Sequence, residues 1–240
     1  LFYFFIDRVM ESFTSETSTS NKSGGPTVVS HFFNEEYLLP FWLEHHSKIF
    51  DHGIMIDYCS TDKSASIIRE MCPQWEIVKT VNVNPDGSPN FEARLVDLEV
   101  MEIEKRVQGF KMCLNTTEFL FCQTGKQAFL DKLSPDKLYK IPSFTVMSHK
   151  EDFYPNNYSD FLNGMELIKD SGRGYRYMHA QEVTYDVGRH NIITDKPVVI
   201  MDDSFIIWCG FYPHNNKMFK RKLQIKQNMP LSDIQMSRGF

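Results

Sequence analysis

Apolar positions in the first half of this chain fall into runs of strand length separated by stretches of helical spacing. Residues 28–33 form a near-continuous apolar run, the pattern of a parallel strand buried on both faces. After an acidic turn, Leu38, Leu39, Trp42, Leu43, His46 and Phe50 recur at helical spacing over residues 36–50, with Pro40 tolerated in the first turn. Gly53 closes that segment. Residues 54–56 then predict a second strand ending at Asp57, residues 64–71 a helix capped by Ser60 or Thr61, and residues 75–80 a third strand.

Residues 82–90, NVNPDGSPN, are turn-rich, and residues 91–107 carry Leu95, Leu98, Val100, Met101 and Val107 as the apolar side of a long helix. Residues 110–114 predict a fourth strand, and residues 139–148 read as a further strand. Strands alternating with helices predict an α/β fold with a mostly parallel sheet. In such sheets ligands bind outside the carboxyl ends of the strands, where Asn34, Glu35, Asp57, Ser60, Thr61 and Asp62 would gather.

Composition narrows the class. At 240 residues, 42% hydrophobic and 14% aromatic, the chain suffices for one sizeable core, expected over residues 26–240. A net charge of −5 disfavours a nucleic-acid partner, which calls for a clustered basic surface. Cys59, Cys72, Cys113, Cys122 and Cys209 are scattered without CxxC spacing and read as buried thiols, which fits a reducing, cytoplasmic setting. Sequons at Asn21, Asn115 and Asn157 would suit a lumenal, Golgi-type alternative, but Asn115 follows a predicted core strand where a glycan has no room. Residues 11–26, rich in Ser, Thr and Gly, have linker composition, so residues 1–25 are expected to be a leader. The run LFYFFI is far short of the ~20 apolar residues that span a bilayer, so membrane association would need a segment preceding this one. His45 and His46, adjacent on one helix, point in different directions and read as packing rather than as a metal site.

The order strand, Asn34-Glu35-Glu36, helix, strand, then Asp57-Tyr58-Cys59-Ser60-Thr61-Asp62-Lys63-Ser64 resembles the family-2-like glycosyltransferases of the GT-A fold. The resemblance covers about residues 26–125 closely and residues 126–240 loosely. It implies a Rossmann-like, mostly parallel sheet flanked by helices, with a nucleotide-binding half over 26–125 and an acceptor half over 126–240. It also implies transfer of a sugar, with inversion, from a nucleotide-sugar donor to a glycan or glycoconjugate acceptor. Asn34, Glu35, Asp57, Asp62 and Arg94 would then serve the nucleotide; Asp97 or Glu99 offer Arg94 a surface ion pair instead.

At the end of the fourth strand these enzymes carry D-x-D, whose hard oxygens hold Mg²⁺ or Mn²⁺ against the donor diphosphate. Here the run is Asn115-Thr116-Thr117-Glu118-Phe119-Leu120: both aspartates are replaced, leaving Glu118 as the one metal-ligand candidate there, with Asn115 and Thr117 as donor contacts. Three readings follow. The first is a metal-independent transferase using the cations of residues 217–226, among them Lys220, Arg221 and Lys222; the second, a metal enzyme using Glu118 with Asp62 or another carboxylate; the third, a degenerate protein that binds nucleotide or carbohydrate without turnover.

By the same resemblance, Glu151 and Asp152 are the acceptor-side acidic pair and candidate general base, with Asp186 and the Asp202-Asp203 pair as rivals. Arg189 and His190, in a G-R-H run, belong near the acceptor or diphosphate, and Trp208 and Tyr212 are candidate sugar-stacking aromatics. A sugar-phosphate nucleotidyltransferase is the further alternative, weakened by the lack of a glycine-rich loop after the first strand.

Overall fold

The computed structural model describes residues 25–148, 151–165 and 167–236, so the expected leader lies outside the described residues but for Gly25. The chain runs β1 (Thr27–Phe32), α1 (Leu39–His46), β2 (His52–Asp57), α2 (Ser64–Met71), β3 (Glu76–Lys79), α3 (Ala93–Lys105), β4 (Lys111–Cys113), β5 (Glu118–Cys122) and α4 (Gly125–Asp131). It continues through β6 (Leu138–Met147), α5 (Tyr158–Asn163), β7 (Leu167–His179), β8 (Thr184–Tyr185), β9 (Ile192–Ile193), β10 (Val198–Ile200), β11 (Ser204–Trp208), α6 (Asn216–Lys226) and α7 (Leu231–Gln235).

The main sheet has the order β3-β2-β1-β4-β7-β6-β11-β5, with β10 added beside β6. Pairings of β1 with β2 and β4, β2 with β3, and β6 with β10 and β11 are parallel; β7 runs antiparallel to both neighbours, as does β5 to β11. This is the α/β fold expected, a mostly parallel sheet flanked by helices in a Rossmann-like GT-A arrangement. The strand order reverses at β1, which has β2 on one side and β4 on the other, so the crevice of an open α/β sheet opens at the carboxyl ends of β1 and β4.

β1 is sealed on both faces: Val28 and Phe32 join one apolar cluster with Trp42, Met55 and Phe119, while Val29 joins another with Ile56, Tyr58, Phe91 and Val100. Gly53 is required where β2 begins, because a Cβ there would lie 2.3 Å from the buried Trp75 ring.

The helix read over 36–50 is shorter, because the Glu35 carbonyl closes a turn on the N–H groups of Leu38 and Leu39 before α1 begins. α2 takes no cap from Ser60 or Thr61; the Asp62 carboxylate accepts the Ser64 N–H at 2.9 Å.

His45 and His46 serve the sheet. Leu120 lies on the edge strand β5, and its carbonyl accepts from His45 Nε2 at 2.5 Å while its N–H donates to His46 Nε2 at 3.2 Å. The second nitrogens meet the Tyr158 hydroxyl and the Trp42 carbonyl. Backbone groups on an edge must be satisfied or solvated, and here two neutral imidazoles do so inside the core. All five cysteines are free, four of them buried. Among the described residues no helix is long and apolar enough to cross a membrane.

Candidate functional site

At the β1/β4 switch point lies a cleft of about 380 Å³. Its floor is His31 and Phe32 of β1, Glu35, and the turn Asn115-Thr116-Thr117 that follows β4. Its walls are Asp97 of α3, Arg176 of β7, the turn 187–190, Trp208 of β11, and Arg221, Lys222 and Ile225 of α6.

Three buried arginines dominate it, each set on a carboxylate from a distant part of the chain. Arg176 chelates Glu118, with Nε to Oε2 at 2.8 Å and Nη2 to Oε1 at 2.5 Å. Its Nη1 donates to the carbonyls of Gly188 and Arg189 and to His190 Nδ1, each at 3.0 Å, which ties β7 to the turn. Arg189 pairs with Asp97 and donates from Nη2 to Asn115 Oδ1 at 2.8 Å. The turn carries Arg189 and Gly188 at positive φ (60° and 88°), and the Gly188 N–H also donates to Asp97 at 2.8 Å. Arg221 chelates Glu35 and reaches Thr116 Oγ1 at 3.4 Å.

Burial pushes the Glu118 carboxyl up, but the Arg176 guanidinium and the Asn115 N–H outweigh it and hold the group below its ordinary range. For Glu35 burial wins over Arg221, and its carboxyl lies above the ordinary range. With Lys222, the lining carries four cations against Glu35 and Asp97, and Glu118 stands behind Arg176. Positive charge in a walled crevice selects for anions.

Of the residues singled out in the sequence, Glu35, Asn115, Thr117, Arg189, His190, Arg221, Lys222 and Trp208 converge on this cleft. Asn34, at φ 50°, instead clasps two loops together: its Oδ1 accepts the N–H groups of Thr61 at 2.8 Å and Asp62 at 3.3 Å. Asp57 accepts the Ser60 N–H at 2.7 Å and pairs with Lys79 at 2.6 Å, off the cleft lining. Asp62 holds the Glu36 and Ser64 N–H groups, so it is a loop residue with no place in a metal site beside Glu118. Arg94 donates to the Tyr185 carbonyl at 3.0 Å and pairs with neither Asp97 nor Glu99, which are committed to Arg189 and to a network with Tyr58, Thr80 and Asn82. Lys220 is exposed on the outer side of α6.

Glu151 and Asp152 line a second cavity, of about 360 Å³, with His214, Asn215, Met218 and Phe219. That cavity and the cleft lie along α6, which lines one through Met218 and Phe219 and the other, about one turn on, through Arg221 and Lys222. Tyr212 is a core residue whose hydroxyl bonds the Phe161 carbonyl, so it is unavailable for stacking. Asp186 closes its own turn on Asn191, and Asp203 is held by Lys132 and Thr124.

Arg176 and Asp97 were not singled out as site residues, nor was His31. A cation amid the aromatics of Tyr175-Arg176-Tyr177 signals a buried charge needing a carboxylate, but which carboxylate follows only from the fold. His31, late in β1, reads in the sequence as a core position.

The GT-A fold implies a divalent cation, and the donor set here does not fit one. Both Glu118 oxygens are bound by Arg176, and Asn115 Oδ1 accepts from Arg189. Among the described residues no three His, Cys, Asp or Glu side chains converge on a common point.

No protein-family model matches this chain, and no curated protein is significantly similar to it in sequence. Among solved structures, residues 1–349 of S. aureus TarS superpose with TM-score 0.33 and 15% identity over 50% of this chain and 36% of that one. The chain thus spans little more than a third of that fragment, and 22% of the longer TarS chain. The mannosyltransferase PcManGT from Pyrobaculum calidifontis, solved with GDP-Man and Mn²⁺, gives 0.46 and 10% over 92% and 68%. A putative glucose-1-phosphate thymidylyltransferase from Bacillus anthracis gives 0.41 and 7% over 87% and 97%. These likenesses are loose; the fold stands on this chain's own strand order, a reversal at β1 with an arginine-lined cleft at its mouth.

Proposed function

We propose that this protein is a metal-independent glycosyltransferase that binds a nucleotide-sugar by its phosphates in the cleft at β1 and β4. The observation that carries the reading is Arg189 bonded to Asn115, a guanidinium at the place where relatives of this sequence pattern put a metal-binding aspartate. Arg176, Arg189 and Arg221 are held in position by carboxylates, so their remaining N–H donors are oriented before any ligand arrives. Preorganised donors stabilise charge without reorganisation during reaction, and a guanidinium matches phosphate geometry.

In the reaction, the bond from the anomeric carbon to the diphosphate oxygen breaks as the acceptor hydroxyl attacks from the opposite face. The negative charge gathering on the leaving nucleoside diphosphate is met by the arginines and Lys222. The acceptor hydroxyl's proton goes to Glu151 or Asp152 when the acceptor lies in the cavity these two line and reaches along α6 into the cleft. Trp208 lines the wall beneath Lys222, whose Nζ lies 5.7 Å from its ring centroid, and so helps place that cation.

The test is calorimetric titration with UDP, GDP and their sugar conjugates in EDTA and in Mn²⁺, with nucleoside diphosphate release as the turnover assay. Binding that persists in EDTA and weakens tenfold or more in Arg189→Ala is expected; binding that requires Mn²⁺, or no binding, overturns the reading. One observation favours a second reading, a nucleotide-binding protein without turnover: Glu35 and Asp97, the carboxylates lining the cleft, are both committed to arginines. Binding without product release, unchanged by Glu151→Gln, would establish it.

A further inference from the structure

We propose that His31 is a ligand-contacting residue of the cleft, hydrogen-bonding an uncharged hydroxyl, on ribose or on a transferred sugar, of a nucleotide whose phosphates the arginines hold. This rests on the reading of the cleft as a nucleotide-sugar site. His31 is the penultimate residue of β1 and lines the cleft floor. Nδ1 is buried with no hydrogen-bond partner among the described residues, while the ring is partly exposed at the cleft, where Nε2 is the nitrogen a ligand can meet. The other imidazoles of the core are not left so: His45, His46 and His179 each bond through both nitrogens. Buried polar groups are paired in native proteins, and an exception asks for the partner it is missing.

The surroundings say what that partner is. Arg176, Arg189 and Arg221 all stand close enough to His31 to act on its charge, and guanidinium groups only donate. Burial first, then Arg189, push the imidazole down to about 3, so at neutral pH the ring is uncharged and offers one donor and one acceptor. A hydroxyl, which also donates and accepts, is its complement; a phosphate oxygen is better served by the arginines. The Tyr58 ring stands edge-on to the imidazole at 5.7 Å and limits its rotation.

Titration calorimetry of wild type, His31→Leu and His31→Asn against pyrophosphate, nucleoside diphosphates and nucleotide-sugars tests this, alongside ¹⁵N spectra of the histidine rings. His31→Leu is expected to weaken nucleotide-sugar binding about tenfold while leaving pyrophosphate unchanged, and His31→Asn to recover most of the loss. In the wild type the His31 ring nitrogens should shift on binding. A loss already seen with nucleoside diphosphate assigns the contact to ribose; a loss confined to nucleotide-sugars assigns it to the transferred sugar. If His31→Leu fails to fold, the ring-nitrogen shift and His31→Asn decide. Equal affinities in all folded variants with no ring shift overturn the role of His31 and leave the cleft reading standing. No binding of any ligand by the wild type overturns both.

Discussion

Arg176 grips Glu118 through two parallel hydrogen bonds, of 2.8 and 2.5 Å, across 58 residues of sequence. The side chains are 3% and 5% exposed, so each charge depends on the other. Glu118→Ala would strand a guanidinium in the interior and is expected to cost about 3–5 kcal/mol, while Arg176→Met with Glu118→Leu should recover most of it. Urea unfolding of Glu118→Leu, Arg176→Met and their double measures the coupling, and a single mutant with wild-type stability would refute it.

Asn34 separates two effects that usually travel together. Its backbone sits at φ 50°, which an asparagine tolerates and an alanine resists, while its side chain fastens the 60–62 loop. Asn34→Gly keeps the conformation and loses the clasp; Asn34→Ala loses both. The glycine variant is therefore expected to be the more stable, by about 1 kcal/mol, with both below wild type. An alanine variant as stable as the glycine variant would mean that the backbone there carries no strain.

Much of the first half could be read from the chain because parallel strands buried on both faces leave continuous apolar runs, as at β1 and β2. The cleft was legible only in part. Its residues were recognisable by type, since Glu35, Asn115, Arg189 and Arg221 are polar groups at strand ends or in a basic run, but their partners are not local. Asp97 looked like a mate for Arg94, a helical neighbour, and is the mate of Arg189, 92 residues on. Asp57 and Asn34 matched a binding motif by position, yet the fold uses their oxygens for Lys79 and for loop N–H groups. β7 does not read as a strand because its buried positions include Arg176 and His179, polar side chains made tolerable by Glu118 and by the Tyr185 hydroxyl.

The histidine clasp on Leu120 makes stability sensitive to acid. Burial pushes His45 down to about 4, below the ordinary value of 6.5, so the folded protein resists a proton that the unfolded chain accepts. Its contribution is complete above pH 6.5 and is lost as pH falls toward about 4, a total on the order of 3 kcal/mol. The stability advantage of wild type over His45→Gln should therefore be flat near pH 7–8 and shrink steadily below 6.5. Chemical denaturation at a series of pH values checks it; a difference independent of pH would show that His45 is not held neutral.

Restoring an aspartate at position 115 should not restore a metal site. The Asn115 amide bonds in two senses, accepting from Arg189 at 2.8 Å and donating to Glu118 Oε1 at 3.3 Å, while its backbone N–H meets Glu118 Oε2 at 2.8 Å. Aspartate keeps the first bond and strengthens it, but it has no donor for Glu118 and sets a second carboxylate against the first. Arg189 already pairs with Asp97 and Arg176 with Glu118, so the added carboxylate competes with those the two guanidinium groups hold. Asn115→Asp is expected to destabilise the fold by about 1–3 kcal/mol and to weaken nucleotide binding, since the ligand's phosphates would face one more negative charge. A cation would have to break the new bond to Arg189 to reach the carboxylate, and Glu118 remains engaged, so Mn²⁺ should leave the melting temperature of the variant where EDTA leaves it. A rise of several degrees with Mn²⁺ would show that the arginines yield to a metal, and the cleft would then have to be understood as a metal site that lost one ligand.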